Sequence, residues 1–314
     1  MARFVVRRTV SAVAVLAAIS VLTFLIFQAI PNGDPALRLA GKLATPQNVI
    51  DIRKTWGFDK PIYVQYVKTM EKVLNGSVIS YSQQQNVETE IARDLPVTIS
   101  LALGAGVLFL AVAILVGVIS AVRAGRFADR ALTGLAMFGV SMPVFFLAAV
   151  MGYYLGFKAK LFPTGGYVHL LQDPLGWFYH LLMPWVSLAV LYVGIYSRVL
   201  RSNILDTVND DFVRTARAKG LSERQVMVRH VLRNSLIPIV SLFGLDLAAL
   251  FGGGALLTEE IFNLHGVGQY AADSIGRLDI PPILVIVMLT AFFVVVLSAL
   301  ADVAYAALDP RIRL

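Results

Sequence analysis

The chain has 314 residues, of which 57% are hydrophobic and 15% are charged. This composition is typical of a membrane protein and excludes an ordinary soluble protein of two domains. There is no cysteine, which excludes disulfides and thiolate chemistry, and the net charge is +7. Because the basic residues lie beside apolar segments rather than on a soluble face, they are interpreted as flanks of membrane spans, and no nucleic-acid partner is expected.

Apolar segments long enough to cross a bilayer recur along the chain. The first, at residues 9–30, measures about 33 Å at ~1.5 Å per residue, against a hydrocarbon core of ~30 Å. A cleaved signal peptide is the alternative, but its apolar region would be shorter and no A-x-A cleavage site follows. Further apolar segments bring the prediction to about six transmembrane helices, and they lie at residues 96–122, 131–157, 180–200, 236–257 and 282–308.

Two prolines lie in the second and third of these segments. Pro96 is predicted to occupy the first turn of its helix, where the missing N–H is harmless. Pro143 is predicted to kink the third span, beside Gly139 and Ser141, which are small enough for close helix packing. Ser141 is interpreted as a packing residue rather than a nucleophile, since no G-x-S-x-G motif is present.

Basic residues in the short loops predict the orientation of the chain. With both termini cytoplasmic, the short loops on that side hold most of the Lys and Arg residues, as the positive-inside rule requires. The prediction is therefore an all-α integral membrane protein with a large extracytoplasmic segment after the first helix and a short helix in a cytoplasmic loop. Its parts are the cytoplasmic N-terminus and first helix (1–30), the extracytoplasmic segment (31–95), a five-helix core (96–308) with a cytoplasmic loop (201–235), and a cytoplasmic tail (309–314).

The most charged run of the chain, residues 206–238, lies between two apolar segments. Its first half predicts a short helix that Asn209 or Asp210 caps and that Gly220 ends in the left-handed conformation. About nine residues are too few for an isolated helix in water, which needs ~12–15, so another body must hold it.

The side chains of this short helix suggest what holds it. Phe212, Val213 and Ala216 form an apolar strip among basic residues, a pattern that suits docking into a groove on a soluble partner. Ser222 and Gln225 then predict a capping box that starts a second helix.

The same run carries a family resemblance. R-T-A-R-A-K-G-L, followed by R-H-V-L-R-N and L-I-P, resembles the coupling loop of permease subunits in the dipeptide/oligopeptide family of binding-protein-dependent ABC importers. Thr215 stands where the wider family has the glutamate of E-A-A, with Ala216 next and Gly220 at the expected spacing. Other similar landmarks are P-N-G-D-P (31–35), F-D-K-P (58–61), T-E-E-I-F-N-L-H-G-V-G (258–268) and D-P-R-I-R-L (309–314).

The resemblance implies a function and a set of partners. It implies a permease subunit that forms half of the translocation path of an ATP-driven peptide importer in a bacterial cytoplasmic membrane. The implied partners are a second homologous permease, two cytoplasmic ATPase subunits or domains, and an extracytoplasmic peptide-binding protein. The residues implied to couple to the ATPases are Asp211, Phe212, Arg214, Thr215, Ala216, Arg217, Lys219, Gly220 and Leu221.

The chain itself is then expected to be non-catalytic and to hold no cofactor, because ATP and Mg bind to the ATPase partners. The absence of a G-x-x-x-x-G-K-[ST] phosphate loop fits this expectation. No metal site is expected either, since the histidines form no H-x-x-x-H or H-E-x-x-H motif. They lie at His169, His180, His230 and His265.

Ionisable residues inside apolar spans are candidate functional residues by default. Asp246 either faces the translocation path, where it contacts a peptide amine, or makes a structural hydrogen bond to another helix or to a partner subunit. Asp302 lies close to the cytoplasmic end of the last span and is interpreted as structural.

The end of the fifth span offers two further candidates. The run Gly252, Gly253 and Gly254 either lets a gate bend or lets two helices pack closely. Glu259 and Glu260 follow on the predicted outer side, where they either contact the binding protein or are solvated loop acids.

Two other functions remain alternatives. A stand-alone secondary transporter or channel would need its own ion or proton pathway, for which one acid in mid-span is thin support. An integral membrane hydrolase would need a triad or metal motif, and none is visible. The substrate stays open, because the resembled family moves dipeptides, oligopeptides, glutathione or nickel chelates and selects largely through the binding protein.

Overall fold

The protein is described here by a computed structural model that covers residues 2–29, 34–40 and 45–308. Helices make up most of this described chain, and no strand beyond one isolated bridge occurs in it, so the predicted all-α class is confirmed. The P-N-G-D-P landmark, except its last two residues, and the tail 309–314 lie outside the described residues. The α-helices are α1 (Ala2–Ala29), α2 (Pro35–Ala40), α3 (Pro46–Trp56), α4 (Ile62–Leu74), α5 (Val87–Val122), α6 (Phe127–Ser141), α7 (Val144–Met151), α8 (Pro174–Thr207), α9 (Asp211–Ala218), α10 (Glu223–Gln225), α11 (Arg233–Ser235), α12 (Ile237–Ala249), α13 (Leu256–Ile261), α14 (Val267–Gly276) and α15 (Ile280–Leu308).

Helices long and apolar enough to cross a bilayer occur five times in the described chain, and a sixth crossing forms if the bent pair α6 and α7 counts as one span. This number confirms the prediction of about six. The unbroken candidates are Arg8–Ile26, Val87–Val122, Pro174–Thr207, Ile237–Gly254 and Ile280–Val303. Wide π-helical turns interrupt or extend three regions, at Gly152–Lys158, Val226–Leu232 and Leu250–Gly254.

The second span starts earlier than the sequence suggested. Helix α5 begins at Val87, where the Asn86 side chain accepts a hydrogen bond from the Thr89 backbone N–H at 2.8 Å. Pro96 therefore lies inside the helix, and its predicted place in the first turn is wrong. The polar residues before Pro96 belong to the helix, and a salt bridge between Arg93 and Glu90 (2.7 Å) joins two of them at helical spacing.

The chain divides into two compact units, and the first comprises Met1–Thr98 with His265–Val295. Its core joins the start of α5 to α14 and α15. Burial, with the charge of Asp279, raises the pKa of Tyr270, whose hydroxyl therefore stays protonated at ordinary pH. The buried core residues are Val78, Val87, Ile91, Val267, Tyr270, Val285 and Ile286.

The buried carboxylate of Asp279 joins two distant segments of this first unit. Asp279 directly precedes α15 and is only 1% exposed. It accepts hydrogen bonds from the hydroxyl of Ser80 at 2.5 Å, from the N–H groups of Tyr81 (2.8 Å) and Ser82 (3.0 Å), and from the Ser82 hydroxyl. Four donors offset the cost of burying the charge, so this contact fixes the segment before α5 to the start of the last span.

The second unit comprises Ile99–Leu264 with Val296–Leu314. Helices α6 and α7 meet at Pro143 with a bend of 97°, so the predicted kink is confirmed as a full break. The close packing predicted at Gly139 is also confirmed, because a Cβ there would lie 2.8 Å from Val190 Cγ1 on α8. Ser141 instead is exposed in this chain and donates to the Met137 carbonyl of its own helix, and its packing role stays a prediction.

Candidate functional site

The short helix predicted in the charged run is present as α9, between the spans α8 and α12. Asp210 occupies the cap position, although its side chain makes no capping hydrogen bond. Gly220 ends the helix with φ +79°, which confirms the predicted left-handed stop.

One face of α9 packs on the chain itself. Val213 and Ala216 are buried, and the helix packs against the π-helical turn Val226–Leu232. Their predicted place on a partner-docking strip is therefore wrong. Amphipathicity shows that a helix buries one face, but it does not show whether the covering surface comes from the same chain.

The other face of α9 is exposed and makes no contact that buries it within the described chain. Phe212 is 41% exposed, as expected for a residue that docks on a partner. Arg217 forms a salt bridge with Glu223 of its own chain at 2.9 Å. Leu221 is half-buried just beyond the helix. The exposed predicted residues that lie together on this face are Asp211, Phe212, Arg214, Thr215 and Lys219.

The second half of the loop is fixed to the end of α8. The predicted capping box of Ser222 and Gln225 is confirmed. Ser235 is buried, and its hydroxyl lies 3.3 Å from that of Thr207, while the amide of Asn203 donates to the Ser235 carbonyl at 3.3 Å. Helix α9 therefore lies on a support that is continuous with the membrane spans.

Asp246 bonds to a neighbouring span. The hydroxyl of Tyr196 on α8 donates to an Asp246 carboxylate oxygen at 2.5 Å, and Asp246 is half-buried. Of the two predicted roles, the structural hydrogen bond to another helix is thus present. Asp302 is half-buried in α15, and its structural role stays a prediction.

An aromatic cluster surrounds this hydrogen bond, and it was not predicted from the sequence. Phe109 on α5 lies 4.7 Å from Tyr192, 5.2 Å from Tyr196 and 5.6 Å from Phe243, measured between ring centroids. These residues are far apart in the sequence, and apolar spans give no signal for which aromatic side chains meet. The cluster makes Asp246 part of a packed contact among α5, α8 and α12.

Replacing Tyr196 by phenylalanine is expected to lower the free energy of unfolding by about 1–3 kcal/mol, because the Asp246 oxygen loses its hydrogen-bond donor. The ring and its packing stay, so the loss isolates the hydroxyl. Denaturant titration in detergent, followed by tryptophan fluorescence, measures the change. Tyr192→Phe is the matched control in the same cluster, and an equal effect in both variants would argue against the Asp246 hydrogen bond.

The three glycines form a break in the fifth span rather than a packing face. Gly253 has φ +108°, outside the helical region, within the π-helical turn Leu250–Gly254. Gly252, Gly253 and Gly254 are all exposed, and no described side chain or backbone lies within 4 Å of a Cβ built on Gly253. Of the two interpretations, the backbone thus favours a bend, because this φ is accessible mainly to glycine.

The two glutamates that follow have different surroundings. Glu259 is fully buried at 0% exposure, so both of its predicted roles, as a binding-protein contact and as a solvated loop acid, are wrong. Helix α13 turns it inward, whereas Glu260 is exposed and keeps either role. Within the described ranges, no group of three or more His, Asp or Glu side chains could hold a metal ion.

A second missed feature is an ion pair between α6 and α8. The Nε and Nη2 atoms of Arg201 donate to the two carboxylate oxygens of Asp129 at 2.7 and 2.8 Å. Asp129 also accepts from the hydroxyl of Ser120 and from the Gly125 N–H at 2.8 Å. The pair joins the turn between α5 and α6 to the last part of α8, next to the loop that carries α9.

With this geometry established, comparisons with known proteins identify the family. Residues 113–314 match the family model described as "Binding-protein-dependent transport system inner membrane component", and residues 1–102 match its N-terminal companion, "Binding-prot-dependent transport system membrane comp, N-term". The chain belongs to this family. It is therefore a multi-pass membrane protein of the binding-protein-dependent transport systems, as the resemblance of the charged run indicated.

Relatives in this permease family match over nearly the full length. A probable peptide ABC transporter permease from Sinorhizobium fredii is 36% identical, with 99% of each chain covered. The oligopeptide permease AppB of Bacillus subtilis is 34% identical, with 100% of each chain covered. The dipeptide permease DppB of Escherichia coli is 32% identical, with 100% of this chain and 99% of the relative covered.

Among solved structures, the membrane fold is shared with a methionine transporter. An inward-facing structure of the MetNI methionine ABC transporter matches with a TM-score of 0.55 and 17% identity, over 70% of this chain and 96% of the other. At this identity the likeness supports the permease fold alone.

Proposed function

We propose that this chain is the permease subunit of an ATP-driven peptide importer, and that the exposed face of α9 docks on a cytoplasmic ATPase. The observation that carries the proposal is the position of α9. It is a short helix between two spans, and one of its faces packs on its own chain. Phe212 and basic side chains are exposed on the other face. The peptide and dipeptide permeases among its relatives indicate the substrate class.

In the proposed mechanism, α9 moves as a rigid body together with the turn on which it packs. Val213 and Ala216 fix the helix to the turn Val226–Leu232, and that turn leads through α11 into α12. When ATP draws two ATPase subunits together, a pull on α9 is therefore passed to α8 and α12. Access then shifts between two packed arrangements, driven by different contacts with the ATPases.

The proposal includes an orientation and partners. Both termini and α9 lie in the cytoplasm, and the segment 31–95 lies outside, in agreement with the distribution of basic residues. A second homologous permease completes the path, two ATPase subunits or domains bind ATP and Mg, and a peptide-binding protein delivers substrate, with Glu260 as a candidate contact. The chain itself then catalyses no covalent reaction.

Replacing Phe212 by alanine is expected to uncouple transport while leaving membrane insertion intact. An exposed aromatic anchor of this kind is worth about 2 kcal/mol, or roughly 30-fold in docking affinity. ATPase binding to the permease in proteoliposomes and uptake of labelled peptide measure the effect. Arg214→Glu and Lys219→Glu should act in the same direction.

Arg224→Glu is the matched control, since Arg224 is an exposed basic residue of the same loop outside α9. Normal ATPase binding and uptake in the Phe212 and Arg214 variants would contradict the docking role. Uptake that continues without ATP would favour a secondary transporter instead.

A further inference from the structure

Helix α4 carries an exposed apolar stripe that the proposed function does not use. Tyr63, Val67 and Leu74 are 68%, 60% and 82% exposed. Their spacing of four and seven residues places all three on one helix face. The opposite side carries Lys68 and Lys72, and the exposed Glu71 lies at the edge between the two sides.

The position of α4 relative to the first span indicates what this stripe faces. The Tyr66 hydroxyl lies 2.7 Å from the Ser20 hydroxyl of α1, and its ring packs edge-on against Phe24 at 5.5 Å between centroids. Ser20 and Phe24 both lie within the apolar window Arg8–Ile26 of α1. Ser20 is six residues from the end of that window, which is about 9 Å along the helix. Helix α4 therefore contacts α1 at a depth where α1 is surrounded by lipid.

The stripe borders this contact directly. Tyr66 follows Tyr63 by three residues, so the stripe lies next to the face of α4 that touches α1. On α1 itself, Leu22 and Ile26 near the same end are each 58% exposed. These two residues lie on the side of α1 away from Ser20 and Phe24, so α1 exposes apolar side chains to its surroundings at the depth where α4 contacts it.

The charged side of α4 is held away from this surface. The ammonium group of Lys68 donates to the Lys54 carbonyl of α3 at 3.3 Å. The ammonium group of Lys72 lies 3.8 Å from the centre of the Trp56 ring. Because α3 engages the polar side, α4 cannot roll its apolar stripe inward.

We infer that α4 is an interfacial helix whose stripe inserts into the bilayer at the Ile26 end of α1. An amphipathic helix of this kind lies in the membrane plane, with its apolar face ~5–10 Å into the boundary between headgroups and acyl chains. A tyrosine such as Tyr63 is favoured at that boundary. The inference needs membrane insertion of α1 and is independent of peptide transport.

The absence of cysteine makes a direct test possible. Val67→Cys places a bimane label on the stripe, and Asp51→Cys places the same label on an exposed polar position of α3, the helix that contacts the polar side of α4. Both full-length variants are purified with the subunits that assemble with them and reconstituted in phosphatidylcholine/phosphatidylglycerol vesicles. The Val67→Cys label should show blue-shifted emission, lose intensity when doxyl-labelled lipid is included, and resist quenching by iodide. The Asp51→Cys label should show the reverse.

Two outcomes would overturn the inference. Quenching of the Val67→Cys label by iodide would place the stripe in water. A label that resists both iodide and doxyl lipid would show that another protein surface, from a second permease or a binding protein, covers the stripe. Peptide uptake by each labelled variant is recorded separately, so a failure of the proposed transport function is not confused with a failure of this inference.

Discussion

Replacing Arg201 by alanine is expected to lower the free energy of unfolding by about 3 kcal/mol, because it leaves the Asp129 carboxylate buried without its charge partner. Asp129 is almost fully buried, and Arg201 supplies two of its hydrogen bonds. The figure is at the low end of the ~3–5 kcal/mol known for broken buried pairs, since the Arg201 side chain keeps some contact with solvent.

A denaturant titration followed by tryptophan fluorescence measures this loss. Arg198→Ala is the matched control, because Arg198 lies on the same helix but is exposed. The double variant Asp129→Leu with Arg201→Met should recover much of the loss, because it removes both charges at once. A single Arg201→Ala variant as stable as the control would show that the pair does not hold α6 to α8.

Replacing Gly194 by alanine is expected to destabilise the protein by about 3 kcal/mol or more, through overpacking at the crossing of α6 and α8. A Cβ at Gly194 would lie 2.5 Å from the Ala136 carbonyl oxygen and 2.5 Å from Val140 Cγ2. The first of these is backbone, so the helices must separate. Gly139 makes the reciprocal close approach to Val190, and one shift therefore disturbs both contacts.

Gly134→Ala, also on α6, is expected to raise the stability of the protein rather than lower it. No described atom lies within 4 Å of a Cβ at Gly134, so alanine should stabilise α6 by about 0.5–1 kcal/mol through helix propensity. Thermal unfolding of the two variants measures the difference. A Gly194→Ala variant that melts with or above the Gly134→Ala variant would mean that α6 and α8 are not in tight contact.

The sequence was informative where local chemistry decides the structure. Apolar length predicts the spans, and the break at Pro143, the stop at Gly220 and the capping box at Ser222 follow from the backbone needs of those residues. The start of α5 was missed, because charged residues before Pro96 resemble a loop although they fit a helix that extends beyond the apolar region.

The candidate sites were less predictable, because they depend on contacts between distant parts of the chain. Arg201 and Asp129 are separated by 72 residues, and Tyr196 and Asp246 by 50. Ala216 and Glu259 were placed on exposed surfaces because their residue types and neighbours suggested it. Their burial depends on packing partners that spacing alone does not reveal.

The hydrogen bonds to Asp279 have a consequence for how the chain is completed during synthesis. Asp279, which accepts the Ser80 hydrogen bond, lies 199 residues after Ser80. A ribosome that adds ~5–20 residues per second therefore synthesises Asp279 about 10–40 s after Ser80. During that interval the segment before α5 has emerged without its anchor and is open to proteases or chaperones. Truncated chains that stop before residue 279 should accordingly be cleaved in this segment first.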